Sequence, residues 1–281
     1  MRDQDKTTEP AVSSVRPEGD VAIVVLTYNR MHLLRQCVDN VLLMTSPNTR
    51  EIVIWNNASE DGTSEYLETI TDPRFRVVHH EANIGINGYA RAFSMTSSPY
   101  LIELDDDIIE APAHWDLTLL DAFRRLPRVG FLAANLANNP HDQTAWVMYT
   151  VNASAYRTVE ENGVSLKIGP TGGGCSITSR ELHDRVGGFR QSKKQIFWLE
   201  DEAYIHDIGK LGFGAAYLED LRVLHAGGAY YSPVTREKEK YWEDFSRKQA
   251  RKRRIKRMLL RIPFVRPLNE RCGWFSAPDD S

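Results

Sequence analysis

The chain has 281 residues, 42% of them hydrophobic, and a formal net charge of −3, which excludes a disordered polyelectrolyte and leaves room for one large domain or a domain with an appendage. No apolar run approaches the roughly 20 residues of a membrane span, and MRDQDKTTEPAVSSVRPEGD is too polar and acidic for a secretory signal. Cys37, Cys175 and Cys272 show no CxxC spacing and are odd in number, which argues against a zinc ribbon or a disulfide framework and fits a reducing, cytoplasmic setting.

Residues 1–20 read as a loose leader. After them, Val21–Thr27, Glu51–Trp55, Arg76–His80 and Tyr100–Leu104 are short β-rich runs with little polar interruption, the pattern of strands buried on both faces. Between the first two, Leu33, Leu34, Cys37, Val38, Val41 and Leu42 recur at helical spacing, and shorter helical patterns lie near Thr63–Ile70 and Asn87–Met95. Alternation of strand and helix predicts an α/β fold: a doubly wound, mainly parallel sheet with helices on both faces. Ligands of such sheets gather beyond the carboxyl ends of the strands, where TYNR, WNNASEDGT and ELDDD fall. A dinucleotide site is excluded, because Tyr28, Asn29 and Arg30 follow the first strand where GxGxxG is required. NIGING (Asn83–Gly88) has the wrong spacing and reads as a turn into a helix. An aspartyl-nucleophile phosphatase is excluded too, since its DxD follows the first strand and this triplet follows the fourth.

Asp105, Asp106 and Asp107 repel one another unless solvent disperses their charge or a cation lies between them. In isolation the triplet reads either as a solvated turn that caps the next helix or as a cation site. In an extended segment alternate side chains share a face, so Asp105 and Asp107 point together and Asp106 points away.

TYNR, NNASEDGT, NIGINGYARAFSM and LDDD, followed by GPTGGGCSITSRELHDRVGGF (Gly169–Phe189), FWLEDEAYIHDIGKLGF (Phe197–Phe213) and HAGG at His225, together resemble the family-2 glycosyltransferases of the GT-A fold over roughly Val21 to Gly228. The resemblance implies transfer of a sugar with inversion from a nucleotide-diphosphate donor, UDP- or dTDP-linked, to a hydroxyl of a glycan or lipid-linked acceptor in surface polysaccharide or cell-wall synthesis, with Mn²⁺ or Mg²⁺. It places Asp105 near the ribose and metal, Asp107 on the metal, and His225 as a further ligand. An imidazole suits Mn²⁺ better than Mg²⁺. The resemblance assigns nucleotide-sugar contacts to Thr27, Asn29, Arg30, Asn56, Asn57, Asp61, Asn83, Asp105 and Asp106. It assigns the general base to Asp201 of the Glu200–Asp201 pair. Departures from the family pattern are Asn56 in place of the usual Asp, and Ala203 and Tyr204 after the acidic pair. The acceptor side would draw on Gly173, Gly174, Trp198 and Glu200. Trp115 and Trp146 read as packing residues. A noncatalytic relative that binds nucleotide-sugar or glycan is the other class open to this sequence.

Between Arg247 and Arg261 there are nine Lys or Arg and no acid, so a total of −3 leaves −12 on the remainder. Ile255, Met258, Leu259 and Ile262 fall on one helical face among these cations, as in a helix lying on an anionic membrane or, second, one packed on the body of the protein; no motif of a nucleic-acid fold accompanies them. The expected division is a catalytic domain over 21–232 and a basic helical extension over 233–281, with the protein peripheral on the inner face of the membrane.

Overall fold

The computed structural model describes residues 21–136, 139, 141, 153–192, 200–227, 230 and 231, and residues 247, 248, 251, 254, 255, 258 and 259 of the tail. The leader, Trp146, Trp198, Cys272 and the expected boundary at 232/233 lie outside the described residues. By its contacts the chain divides into two compact units, Met1–Ala226 and Gly227–Ser281.

The first unit begins β1 (Val21–Thr27), α1 (Met31–Met44), β2 (Thr49–Asn56), α2 (Thr63–Leu67), β3 (Phe75–His79), α3 (Asn87–Phe93) and β4 (Tyr100–Asp105). It continues through β5 (Ile108–Glu110), α4 (Trp115–Arg125), β6 (Val129–Asn135), β7 (Arg157–Glu161), β8 (Val164–Ile168) and β9 (Cys175–Ser179), then α5 (Arg180–Val186), α6 (Glu200–Lys210), β10 (Gly214–Arg222) and β11 (Leu224–His225). Nine strands form one sheet in the order β3-β2-β1-β4-β9-β6-β10-β8-β7. Strands β3, β2, β1 and β4 are parallel, as are β6 and β10, while β9 and β8 run against their neighbours.

The near-continuous apolar strands follow from cover on both faces. On one face, Leu34, Cys37, Val38 and Val41 of α1 and Trp115, Leu119 and Leu120 of α4 pack against Val21, Ile23, Val25, Ile52 and Ile54. On the other, Tyr89, Ala92 and Phe93 of α3, Leu182 of α5 and Tyr204 and Ile208 of α6 pack against Ala22, Val24, Leu101 and Phe131. Trp115 is fully buried, as a packing residue should be. Asp116, also fully buried, accepts from Ser46 N–H (2.8 Å), Ser46 Oγ (2.8 Å) and Thr49 Oγ1 (2.7 Å), pinning the end of α1 to the start of β2.

The register brings the strand ends level. Thr27 lies opposite Asn56 and Leu26 opposite Asp105, so the loops after β1, β2 and β4 open on one edge.

Candidate active site

Beyond that edge the Asp triplet divides by side-chain direction. Asp106 turns inward: Thr27 Oγ1 donates to its Oδ2 at 2.7 Å, and Arg30 Nη1 donates to its Oδ1 at 2.8 Å. The same Nη1 reaches Asp107 Oδ2 at 2.6 Å. Burial pushes the Asp106 carboxyl up to about 6, while the Arg30 charge opposes that shift. Arg30 is thus the partly buried counter-ion of two of the three carboxylates.

Asp105 and Asp107 face His225. Tyr89 Oη donates to Asp105 Oδ1 at 2.9 Å, and Asp105 Oδ2 lies 4.0 Å from His225 Nε2. Asp107 Oδ1 lies 3.1 Å from the same nitrogen. One ligand atom from each of the three residues falls within 4.8 Å of the others. What holds His225 there is a small antiparallel ribbon of β5 and β11, in which Leu224 pairs with Glu110 and His225 with Ile108. Ala226 N–H closes it onto Asp107 C=O at 2.7 Å, and Asn139 Nδ2 donates to the His225 carbonyl. Two carboxylates and an imidazole around one point could hold a divalent ion.

Asp201, in the first turn of α6, lies across a strap of three glycines. Gly173 N–H donates to Asp201 Oδ2 at 2.7 Å, and Glu202 N–H donates to Oδ1 at 2.8 Å. Gly172 N–H is held by Tyr217 Oη at 2.9 Å, and Asp105 N–H donates to Gly174 C=O at 2.8 Å. The strap therefore ties the acidic start of α6 to the end of β4. Glu200 begins α6 and is half-buried.

Glu103, absent from the residues selected by sequence, belongs to this cluster. It lies on β4 at 3% exposure, and its Oε2 has no hydrogen-bond partner among the described residues. Burial raises its carboxyl well above the usual carboxylate range, and the charges of Glu200, Asp105 and Asp201 add to the shift. An ionisable residue inside the otherwise apolar run YLIEL was the available signal.

The remaining candidates knit three loops together. Asn29, at φ 50°, accepts at Oδ1 from Glu60 N–H (2.7 Å), while its own N–H donates to Ser59 Oγ (3.0 Å). Asn56 Oδ1 accepts from Ser59 N–H (3.0 Å) and its Nδ2 donates to Ser64 Oγ (3.0 Å). Asn57 accepts from Trp55 Nε1 (3.1 Å) and donates to Gly85 C=O (3.0 Å). Asp61 Oδ2 accepts from Met31 N–H (2.9 Å), and Asn83 Oδ1 from Gly85 N–H (2.8 Å). These are the bonds of Asx-type turns, and they line the edge beside the Asp triplet with amide groups.

A three-layered α/β/α fold whose strand-end carboxylates meet a histidine beside a second acidic pair defines a GT-A glycosyltransferase fold. The family model for glycosyl transferase family 2 matches residues 22–187, and the chain belongs to that family. A search of curated proteins returns no match. Among solved structures, the chain is similar to the mannosyltransferase PcManGT of Pyrobaculum calidifontis, in complex with GDP-Man and Mn²⁺ (23% identity, TM-score 0.54, covering 76% of this chain and 59% of that one). It is also similar to S. aureus TarS 1–349 in complex with UDP-GlcNAc (16%, TM-score 0.56, 75% and 60%). A third similar structure is GalNAc-T7 with UDP, GalNAc and Mn²⁺ (18%, TM-score 0.54, 75% and 44%). The chain thus spans less than two thirds of the length of each, and at these identities the likeness is one of fold.

Proposed function

We propose that this chain is a metal-dependent inverting glycosyltransferase that moves a hexosyl or deoxyhexosyl group from a UDP- or dTDP-sugar to a hydroxyl of a glycan or lipid-linked acceptor in surface polysaccharide or cell-wall synthesis. The observation that carries this reading is the cluster of Asp105, Asp107 and His225, with the glycine strap bonded both to Asp105 and to Asp201. Structures of similar fold that hold nucleotide-sugars or Mn²⁺ support it.

Asp105, Asp107 and His225 would hold the ion, which when bound neutralises the donor diphosphate as a Lewis acid. Thr27, Asn29, Arg30, Asn56, Asn57, Asp61, Asn83 and Asp106 form or support the rim on which the nucleotide is held. Asn56 accepts through its carbonyl and donates through its amide, so uracil or thymine is readable there. Asp201 takes the acceptor hydroxyl proton. The acceptor oxygen then forms its bond to the anomeric carbon from the face opposite the diphosphate oxygen, which leaves with the bonding pair. Glu200, Trp198, Gly173 and Gly174 serve the acceptor side. Asp201→Asn keeps the side chain's size and loses its basicity. The expected result is donor affinity close to wild type with transfer reduced by roughly 10²–10⁴-fold; transfer near the wild-type rate would reject Asp201 as the base. A noncatalytic binder would show no donor hydrolysis in either form.

The tail supports a place at the cytoplasmic membrane surface. Lys248, Arg251 and Arg254 are helical and exposed, and Ile255 and Met258 beside them are 47% and 61% exposed. Each cation near an anionic leaflet contributes up to about 1 kcal/mol before screening, and the apolar pair adds to this. Replacing Lys248, Arg251 and Arg254 with Glu is expected to abolish sedimentation with phosphatidylglycerol vesicles at low salt while leaving nucleotide binding unchanged. Equal sedimentation of both forms would remove the membrane from this account.

A further inference from the structure

Glu103 occupies a core position between Ile102 and Leu104, both fully buried. An apolar side chain there would avoid the desolvation of a carboxyl, so a buried carboxyl with an unpartnered oxygen calls for a physical reason. Its surroundings supply one. A Cβ built on Gly173 would meet Glu103 Oε1 at 3.1 Å and its Cδ and Oε2 at 3.2 Å. The adjacent Gly174 has φ +91°, a conformation that explains glycine by backbone alone. Gly173 is not among the positive-φ glycines, so at that position the constraint on a side chain is space, and the Glu103 carboxyl would have to give by a few tenths of an ångström to admit one. On the strap's other side, a Cβ on Gly172 would stand 3.0 Å from Asp201 Oδ2.

We infer that Glu103 is a positioning residue for Asp201: its carboxyl is the platform on which Gly173 rests, and it thereby sets the direction from which the residue-173 N–H holds Asp201 Oδ2. The catalytic part of this inference rests on the transferase reading; the contact part does not. With the platform at its native height, the 2.7 Å bond fixes one Asp201 oxygen while Glu202 N–H fixes the other, and the carboxylate faces the acceptor in one orientation. Misplacing a reacting group by a fraction of an ångström lowers turnover without weakening donor binding.

The test uses Glu103→Ala, Gly173→Ala, their combination, and Glu103→Gln, each in the full chain. Two readouts are taken: hydrogen exchange of the residue-173 amide by NMR, and hydrolysis of UDP-galactose with Mn²⁺. Either alanine substitution alone is expected to speed amide exchange by about 10-fold or more and to lower kcat by about 10–100-fold with KM changed less than about threefold. Glu103→Gln, which keeps the platform's shape, should retain wild-type exchange and kcat. In the double variant the new methyl fills the space that the carboxyl vacated, so both readouts should recover toward wild type, a non-additivity expected only of groups in contact. A double variant no better than the worse single, or wild-type exchange in Glu103→Ala, would overturn the inference. Exchange decides the contact whether or not hydrolysis occurs; absence of hydrolysis of every UDP- and dTDP-sugar offered to the wild-type protein would count instead against the transferase reading.

Discussion

Arg30 meets two opposing demands at one atom. Three adjacent carboxylates would favour a cation, yet two of them are buried and must be stable without one, and Nη1 of Arg30 bridges Asp106 and Asp107 at 2.8 and 2.6 Å. Arg30→Met removes the bridge and leaves both charges buried; the expected loss is about 3–5 kcal/mol in urea unfolding, with added Mn²⁺ restoring part of it. His183 offers a second residue-scale prediction. It is enclosed by Phe93, Phe189 and Tyr204, at ring separations of 5.5, 5.7 and 5.7 Å. Burial, with Arg180 nearby, lowers its pKa to about 4. The unfolded chain binds the proton near the ordinary value of about 6.5, so the unfolded state gains protons first as pH falls. Stability contributed by the neutral ring is therefore present above about pH 6.5 and lost as pH falls toward 4, by at most about 3 kcal/mol. His183→Leu should flatten that segment of the stability–pH profile, and an unchanged profile would exclude His183 as its source. At this scale the sequence spoke through motif and residue type: the family resemblance singled out Asp105, Asp107 and His225 as candidate ligands, and the fold brings one atom of each within 4.8 Å of the others. Glu103 and the inward turn of Arg30 were not legible, because burial and partner choice depend on contacts between β4, the glycine strap and the loop after β1, which no local pattern encodes.

The ribbon of β5 and β11 carries a disproportionate share of the site for five residues. It delivers His225 to Asp107 through the Ala226 N–H to Asp107 C=O bond of 2.7 Å. Ala226→Pro deletes that donor, and Mn²⁺ affinity, measured by electron paramagnetic resonance of free ion, is expected to fall by about 10–100-fold; unchanged affinity would show that the ribbon does not set the ligand geometry. The four parallel strands β3, β2, β1 and β4 were legible as apolar runs because helices cover both their faces, and the reading of Val21–Thr27 matches β1 to the residue. Strands β5 and β11, of three and two residues, carry too little pattern to be read, and the antiparallel insertion of β9 between β4 and β6 is a matter of long-range pairing. Helices α2 and α3 end at Leu67 and Phe93, two or three residues inside the predicted limits, where the last turns give way to i→i+3 bonds such as Thr69 N–H to Tyr66 C=O and Met95 N–H to Ala92 C=O.

At the scale of the whole molecule, the sequence pairs an acidic body with a basic tail. Carboxylates concentrate at the sheet's carboxyl edge, where an ion and a diphosphate would meet, and cations concentrate in the last fifth of the chain. The doubly wound architecture was legible because alternation of apolar β-rich runs with helical periodicity is a global property, and with it the edge at which the candidate site residues gather. The acceptor was not legible, since Trp198 and the residues around it give no pattern that distinguishes one glycan from another. The central claim is that Asp105, Asp107 and His225 join a divalent ion to a nucleoside diphosphate, and titration calorimetry of UDP into the full chain, with Mn²⁺ and then with chelator, tests it most directly. The account predicts binding at least about 10-fold tighter with Mn²⁺, and loss of that difference in Asp107→Ala; equal affinity with and without the ion in the wild-type protein would contradict it.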